Sequence, residues 1–166
     1  MLSLHLFGAP CGASRFFVLA IFLLGLCCLP ALADDLVVLR VPGSDFRTAH
    51  EGLLEAIESE GLVVGSVLPF RDMLERTKVA TQAIPYREAE IVQFCSSLLA
   101  AELVRENPAQ LSLCPMSVAL YTLKDNSAEV RLAYRTPEAS TPGRRQAIEL
   151  LQRIVQRAAE LARLRW

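Results

Sequence analysis

The chain is 166 residues long with 17 basic and 18 acidic side chains, a formal net charge of -1 at pH 7. A near balance of charge does not suit a nucleic-acid binder, and this length bounds the chain to one domain of ordinary size. The basic charge is almost wholly arginine, with only Lys78 and Lys124 as lysines.

Arg15 precedes an unbroken apolar run of 14 residues, Phe16 to Leu29, and Ala31-Leu32-Ala33 follows with small residues where a signal peptidase reads. The run is shorter than the roughly 17 to 25 residues of a bilayer-spanning helix. It predicts a signal peptide over 1–33, cleaved near Ala33, and a single mature domain over 34–166 in the periplasm or outside the cell, with no membrane anchor left. Cys27 and Cys28 lie where a lipid-modified cysteine would, but Leu26 precedes them instead of a small residue. Processing also removes Cys11, Cys27 and Cys28, leaving Cys95 and Cys114 as the two thiols in an oxidising compartment.

Leu36 to Val41 reads as a strand ended by Pro42-Gly43. Ser44 is placed to cap a helix carrying Asp45 in its first turn and Phe46, His50, Leu53 and Ile57 on one face, with Gly61 as its stop. Leu62 to Leu68 is a strand with Gly65 as a bulge, closed by Pro69, and Phe70 to Arg76 suits a short helical turn. Thr77 to Tyr86 has no period and reads as a loop. Glu88 to Phe94 reads as a strand and Ser96 to Glu106 as a helix ended by Asn107-Pro108. Leu111 to Leu123 and Glu129 to Tyr134 flank a turn-rich Lys124-Asp125-Asn126-Ser127 and form a β-hairpin. After a connector from Thr136 to Gly143, Gln146 to Arg163 is a long amphipathic helix with an i,i+4 pair of Glu149 and Arg153. The order predicts an α+β fold: a single domain with a curved, mostly antiparallel sheet, helices packed on one side and a long C-terminal helix.

Phe94-Cys95-Ser96, Asn107-Pro108 and Leu113-Cys114-Pro115 running into Val118-Ala119-Leu120-Tyr121, with Tyr134-Arg135 after the hairpin, resemble the family of domains of unknown function numbered 302. The likeness spans roughly Leu36 to Arg135. Many members read Cys-Asn-Pro and Pro-Cys-Asn at the two cysteine sites, whereas Ser96-Ser97 and Met116-Ser117 stand here. The resemblance implies a compact α+β fold with a curved antiparallel sheet and allows a homodimer; it implies no reaction and no cofactor.

The two cysteines are the first candidate site. Helix Ser96–Glu106 carries the chain about 16 Å away from Cys95, and the eight residues from Asn107 to Cys114 span up to about 26 Å, so the chain can double back and set Cys114 beside Cys95. A structural disulfide is one reading. A redox pair is another, since Cys95 stands where strand becomes helix and a helix N-terminus favours thiolate. A soft-metal site drawing on Cys95, Cys114, His50 and a methionine is a third, against which His50 lies on an apolar stripe as a half-buried, hydrogen-bonded residue. Covalent haem is excluded for want of Cys-x-x-Cys-His, and a serine hydrolase for want of a Gly-x-Ser-x-Gly elbow. Glu58 with Glu60, and Glu88 with Glu90, read as solvated faces. His50, Tyr121, Tyr134 and Arg135 are candidates to line a pocket above the sheet. The expected function is an exported domain that binds a small ligand or partner on the concave side of its sheet, with no identifiable reaction, no catalytic residue and no resident metal. A thiol-based redox or sulfur-handling protein, with Cys95 as nucleophile and Cys114 as resolving thiol, and a metal carrier using both cysteines are the alternatives.

Overall fold

A computed structural model describes residues 35–77 and 84–165. The signal-peptide reading, and most of the loop read between Thr77 and Tyr86, fall outside the described residues. The elements follow the expected order. They are β1 (Asp35–Pro42), α1 (Phe46–Ser59), β2 (Val63–Leu68), α2 (Phe70–Arg76), β3 (Tyr86–Cys95), α3 (Ser97–Glu106), β4 (Met116–Leu123), β5 (Glu129–Thr136) and α4 (Pro142–Leu164). The strands make one antiparallel sheet in the order β1-β5-β4-β3-β2.

Strand alternation gives the sheet two unlike faces. Val92 and Phe94 of β3, Met116, Val118 and Leu120 of β4, and Val130, Leu132 and Tyr134 of β5 face the helices and are buried in one core. From the helix side come Leu53 and Ile57 of α1, Leu99 and Leu103 of α3, and Leu151, Ile154 and Val155 of α4. Helices α1 and α4 approach closely at Gly52, where an added Cβ would stand 3.1 Å from the Ala158 carbonyl oxygen. Gly61, at φ 72°, ends α1 with the two hydrogen bonds of a Schellman motif: Gly61 N to Glu58 O and Leu62 N to Ile57 O. Gly65 produces the expected bulge, since the β2–β3 register shifts between Val64 and Ser66. The short helix α2 begins with Phe70, whose ring meets Tyr86, which in turn meets Tyr121 on the face turned away from the long helices.

Four local readings are corrected. Asp45 rather than Ser44 caps α1, its carboxylate accepting from the Thr48 backbone at 2.9 Å and the Thr48 hydroxyl at 2.8 Å, while Ser44 is buried. Residues Pro108–Leu113 form a 3-10 helix instead of entering the strand: Asn107 accepts from Ala109 N through its side chain, and Pro108 stands at the first position. Helix α4 begins at Pro142, capped by the Thr141 hydroxyl, four residues before the apolar period becomes visible at Gln146. Finally, Arg153 forks its guanidinium onto Glu60, with nitrogens 3.1 and 3.0 Å from the two carboxylate oxygens, rather than pairing with Glu149. That hydrogen bond holds the Glu60 carboxyl below its ordinary range.

The start of α4 is held by a second carboxylate. Glu106, the last residue of α3, accepts from the Thr141 hydroxyl, from Gly143 N at 2.7 Å and from Gln110 Nε2 at 3.1 Å. Buried Gln110 also donates to Leu103 O and accepts from Arg144 Nε at 2.9 Å, so one network ties α3, the 3-10 helix and α4. The Thr141 hydroxyl first, then Gly143 N–H, lowers the Glu106 pKa from its ordinary value of 4.5. A carboxylate whose folded pKa lies below its unfolded one contributes fully above the unfolded value and loses that contribution as pH falls through the folded value. Glu106→Gln is therefore expected to be less stable than wild type at pH 7, with the gap closing below pH 4.5. Urea denaturation at pH 7 and at successively lower pH checks this; a gap that stays constant on acidification would refute the charged role of Glu106.

Candidate functional site

The two cysteines meet at one end of the sheet. The β3–β4 ladder ends with Phe94 opposite Met116, so Cys95 leaves the ladder on one strand where Cys114 enters it on the other. Both are thiols, Cys95 exposed and Cys114 half-buried. Burial raises the Cys114 pKa from 9.0 to about 11, and a hydrogen bond and charge from Cys95 add to the rise. The chain doubles back as the lengths of helix and linker allowed, and the Cys114-Pro115 peptide bond is cis.

Beside this pair lies a cleft of about 340 Å³. One wall is the start of β4 and the end of β5, Ser117 with Arg135 and Thr136; another is Ser112 and Leu113 of the 3-10 helix; Met116, Ala147 and Leu151 supply the apolar floor. Pro115, next to Cys114, lines it too, as does Glu138. Ser117 and Arg135 belong to the open face, so the cleft sits where that face meets the helix layer.

The four pocket candidates do not converge. Tyr134 points into the helix-side core at 5 % exposure, and burial raises its hydroxyl pKa. Tyr121 is on the opposite face, where its side chain meets Arg131, itself paired with Glu129 at 2.8 Å. Only Arg135 borders the cleft. His50 projects from α1 toward β3, its Nδ1 lying 2.8 Å from Glu90 Oε2. The contact has ion-pair distance without hydrogen-bond alignment, and both atoms are buried with no other partner. His50 is thus half-buried as expected but not conventionally hydrogen-bonded.

Glu88 and Glu90 share the parity of Val92 and Phe94 and so face the helices, Glu88 accepting from the Thr122 hydroxyl at 3.2 Å. This corrects the solvated-face reading, and the β3 alternation held the signal for it. Five strand residues, about 16 Å, separate Glu90, where His50 docks, from Cys95. The set of Cys95, Cys114 and His50 is therefore not assembled. Among the described residues, no three His, Cys, Asp or Glu side chains are grouped to hold a metal ion. No described helix is long and apolar enough to cross a membrane.

A five-stranded antiparallel sheet open on one face, backed by three helices and carrying a side cleft, defines the chain as a small α+β domain. The chain matches the family described as domain of unknown function DUF302 over residues 37–162, and it belongs to that family. Its fold is similar to the crystal structure of an uncharacterized conserved DUF302 protein from Bacillus stearothermophilus. The TM-score is 0.57 at 16 % identity, covering 76 % of this chain and 94 % of that one. Among curated proteins there is no match.

Proposed function

We propose that this domain is an exported binding module that takes a small amphipathic anion into the cleft between the β4–β5 end and α4. The observation carrying the reading is the lining: Arg135 with the polar side chains of Ser117 and Thr136 beside apolar Met116, Ala147 and Leu151. Ligand sites combine mostly apolar walls with a few placed polar groups in about 300–1,000 Å³, and this cleft lies at the small end of that range. Glu138 in the same lining disfavours dianions, leaving a single carboxylate or sulfonate as the fitting head group.

Anilinonaphthalene sulfonate, apolar rings bearing one anionic group, is the probe. Its fluorescence is expected to report one saturable site on the folded protein. Arg135→Gln is expected to weaken binding by about tenfold, the order of a lost charge-assisted hydrogen bond. Ser117→Trp, which fills the cleft from its strand wall, is expected to abolish it. Equal dye binding by folded Ser117→Trp would move the site elsewhere.

A further inference from the structure

We propose that Cys95 and Cys114 are a reversible dithiol–disulfide couple in which Cys95 is the sulfur that exchanges with an external low-molecular-weight disulfide. The juxtaposition of the thiols carries this. The β3–β4 ladder ends at Phe94 opposite Met116, and each cysteine lies just past it on its own strand, near enough for Cys95 to act on the Cys114 thiol, so a bond between them leaves the ladder pairs intact. The two sulfurs differ in access. Cys95 is exposed beside Val63, its β2 partner, which is itself 79 % exposed, whereas Cys114 is half-buried. An incoming disulfide therefore reaches Cys95 first.

The chemistry balances without another group. Cys95 thiolate attacks one sulfur of a glutathione-type disulfide, forming a mixed disulfide and releasing one small thiolate, which takes up a proton. Cys114 then gives its proton to water or to that thiolate and attacks the Cys95 sulfur. The Cys95–Cys114 bond forms, the mixed bond breaks and a second small thiol leaves. The protein is oxidised by two electrons and the small disulfide is reduced to two thiols. Burial foremost keeps Cys114 protonated, with a hydrogen bond and charge from Cys95 adding to it; the Cys95 part is lifted once Cys95 is in the mixed disulfide, so Cys114 acts second. The proposal is independent of the cleft reading, because it concerns covalent state and not ligand occupancy.

The sequence makes the test direct. Trypsin cuts after Arg87, Arg105 and Lys124, leaving Cys95 on peptide 88–105 and Cys114 on peptide 106–124, apart from every cysteine of residues 1–33. The reduced full-length protein is equilibrated in mixtures of reduced and oxidised glutathione, quenched with iodoacetamide, digested and mapped by mass. The expected result is that the two peptides become joined in a single two-electron transition. Cys114→Ser is expected to retain glutathione on Cys95, and Cys95→Ser to leave Cys114 unmodified over the same time. In case a variant misfolds, the rate of iodoacetamide labelling in reduced wild type is read as well, Cys95 reacting at least about tenfold faster. Separate, singly modified peptides in fully oxidising buffer, or glutathione on Cys114 with Cys95 free, would overturn the proposal. So would equal labelling rates. Dye binding by the reduced protein reports on the cleft separately.

Discussion

Phe94→Ala is expected to lower the free energy of unfolding by about 3–5 kcal/mol, the range for deleting a buried ring and leaving a cavity. Among the described residues Phe94 is the largest fully buried side chain, 1 % exposed. It stands on the helix side of β3, in the last β3–β4 pair opposite Met116, and belongs to the core that Leu99 and Leu103 of α3 share. For a domain of about 130 residues such a loss is a fall in melting temperature of roughly 10–20 °C. Urea denaturation at neutral pH should show a lower midpoint at unchanged slope. A loss below about 1 kcal/mol would mean that the sheet and α3 close over the gap. Cys95 follows Phe94 directly, so the same variant should also disturb the thiol geometry and slow the joining of peptides 88–105 and 106–124.

Oxidation of Cys95 and Cys114 is expected to raise stability by about 3 kcal/mol over the reduced protein in the chain-entropy view, since the bond closes a loop of that size class in the unfolded state. The native state gives up little for it, because both cysteines already stand at the same end of the β3–β4 ladder, just past the Phe94–Met116 pair. Melting curves of the oxidised and reduced protein should differ by roughly 10 °C, and Cys114→Ser should melt at one temperature irrespective of oxidant. An oxidised form no more stable than the reduced one would show that the bond strains the β3–α3 corner.

The fold was largely legible because its signals are local and agree with one another. The alternation of β4 and β5, the Gly65 bulge, the Gly61 stop and the apolar stripe of α4 each carry their meaning within a few residues. Helix rise and chain reach allowed Cys95 and Cys114 to come to one end of the sheet, although that reach is of an extended chain and Pro108–Leu113 is a 3-10 helix. What escaped depended on competition between local rules or on partners distant in sequence. Thr141-Pro142, an N-cap and a first-turn proline, sat inside a stretch whose other proline made it look like a connector. Asn107-Pro108 ended one helix and began another turn. Arg153 found Glu60, from the end of α1, in preference to its own-helix neighbour Glu149. Tyr121 and Tyr134 were grouped by chemistry, yet the parity of β4 and β5 sends them to opposite faces. The cleft draws on the 3-10 helix, two strand ends and α4, and no single stretch of sequence contains its signature.

The strand order sets the timetable of folding. Among the described residues β1 is an edge strand paired with β5, and Asp35 lies opposite Thr136, roughly a hundred residues later in the chain. A chain that appears from its N-terminus, whether from a ribosome or a translocation pore, makes β1 first and must carry it unpaired until β5 has emerged. Val41, fully buried in the finished core, stays in water for that whole interval. Closing contacts so far apart in sequence is slow. The opening strand of the domain is thus among the last to be seated, and the chain remains open until nearly all of it has been delivered.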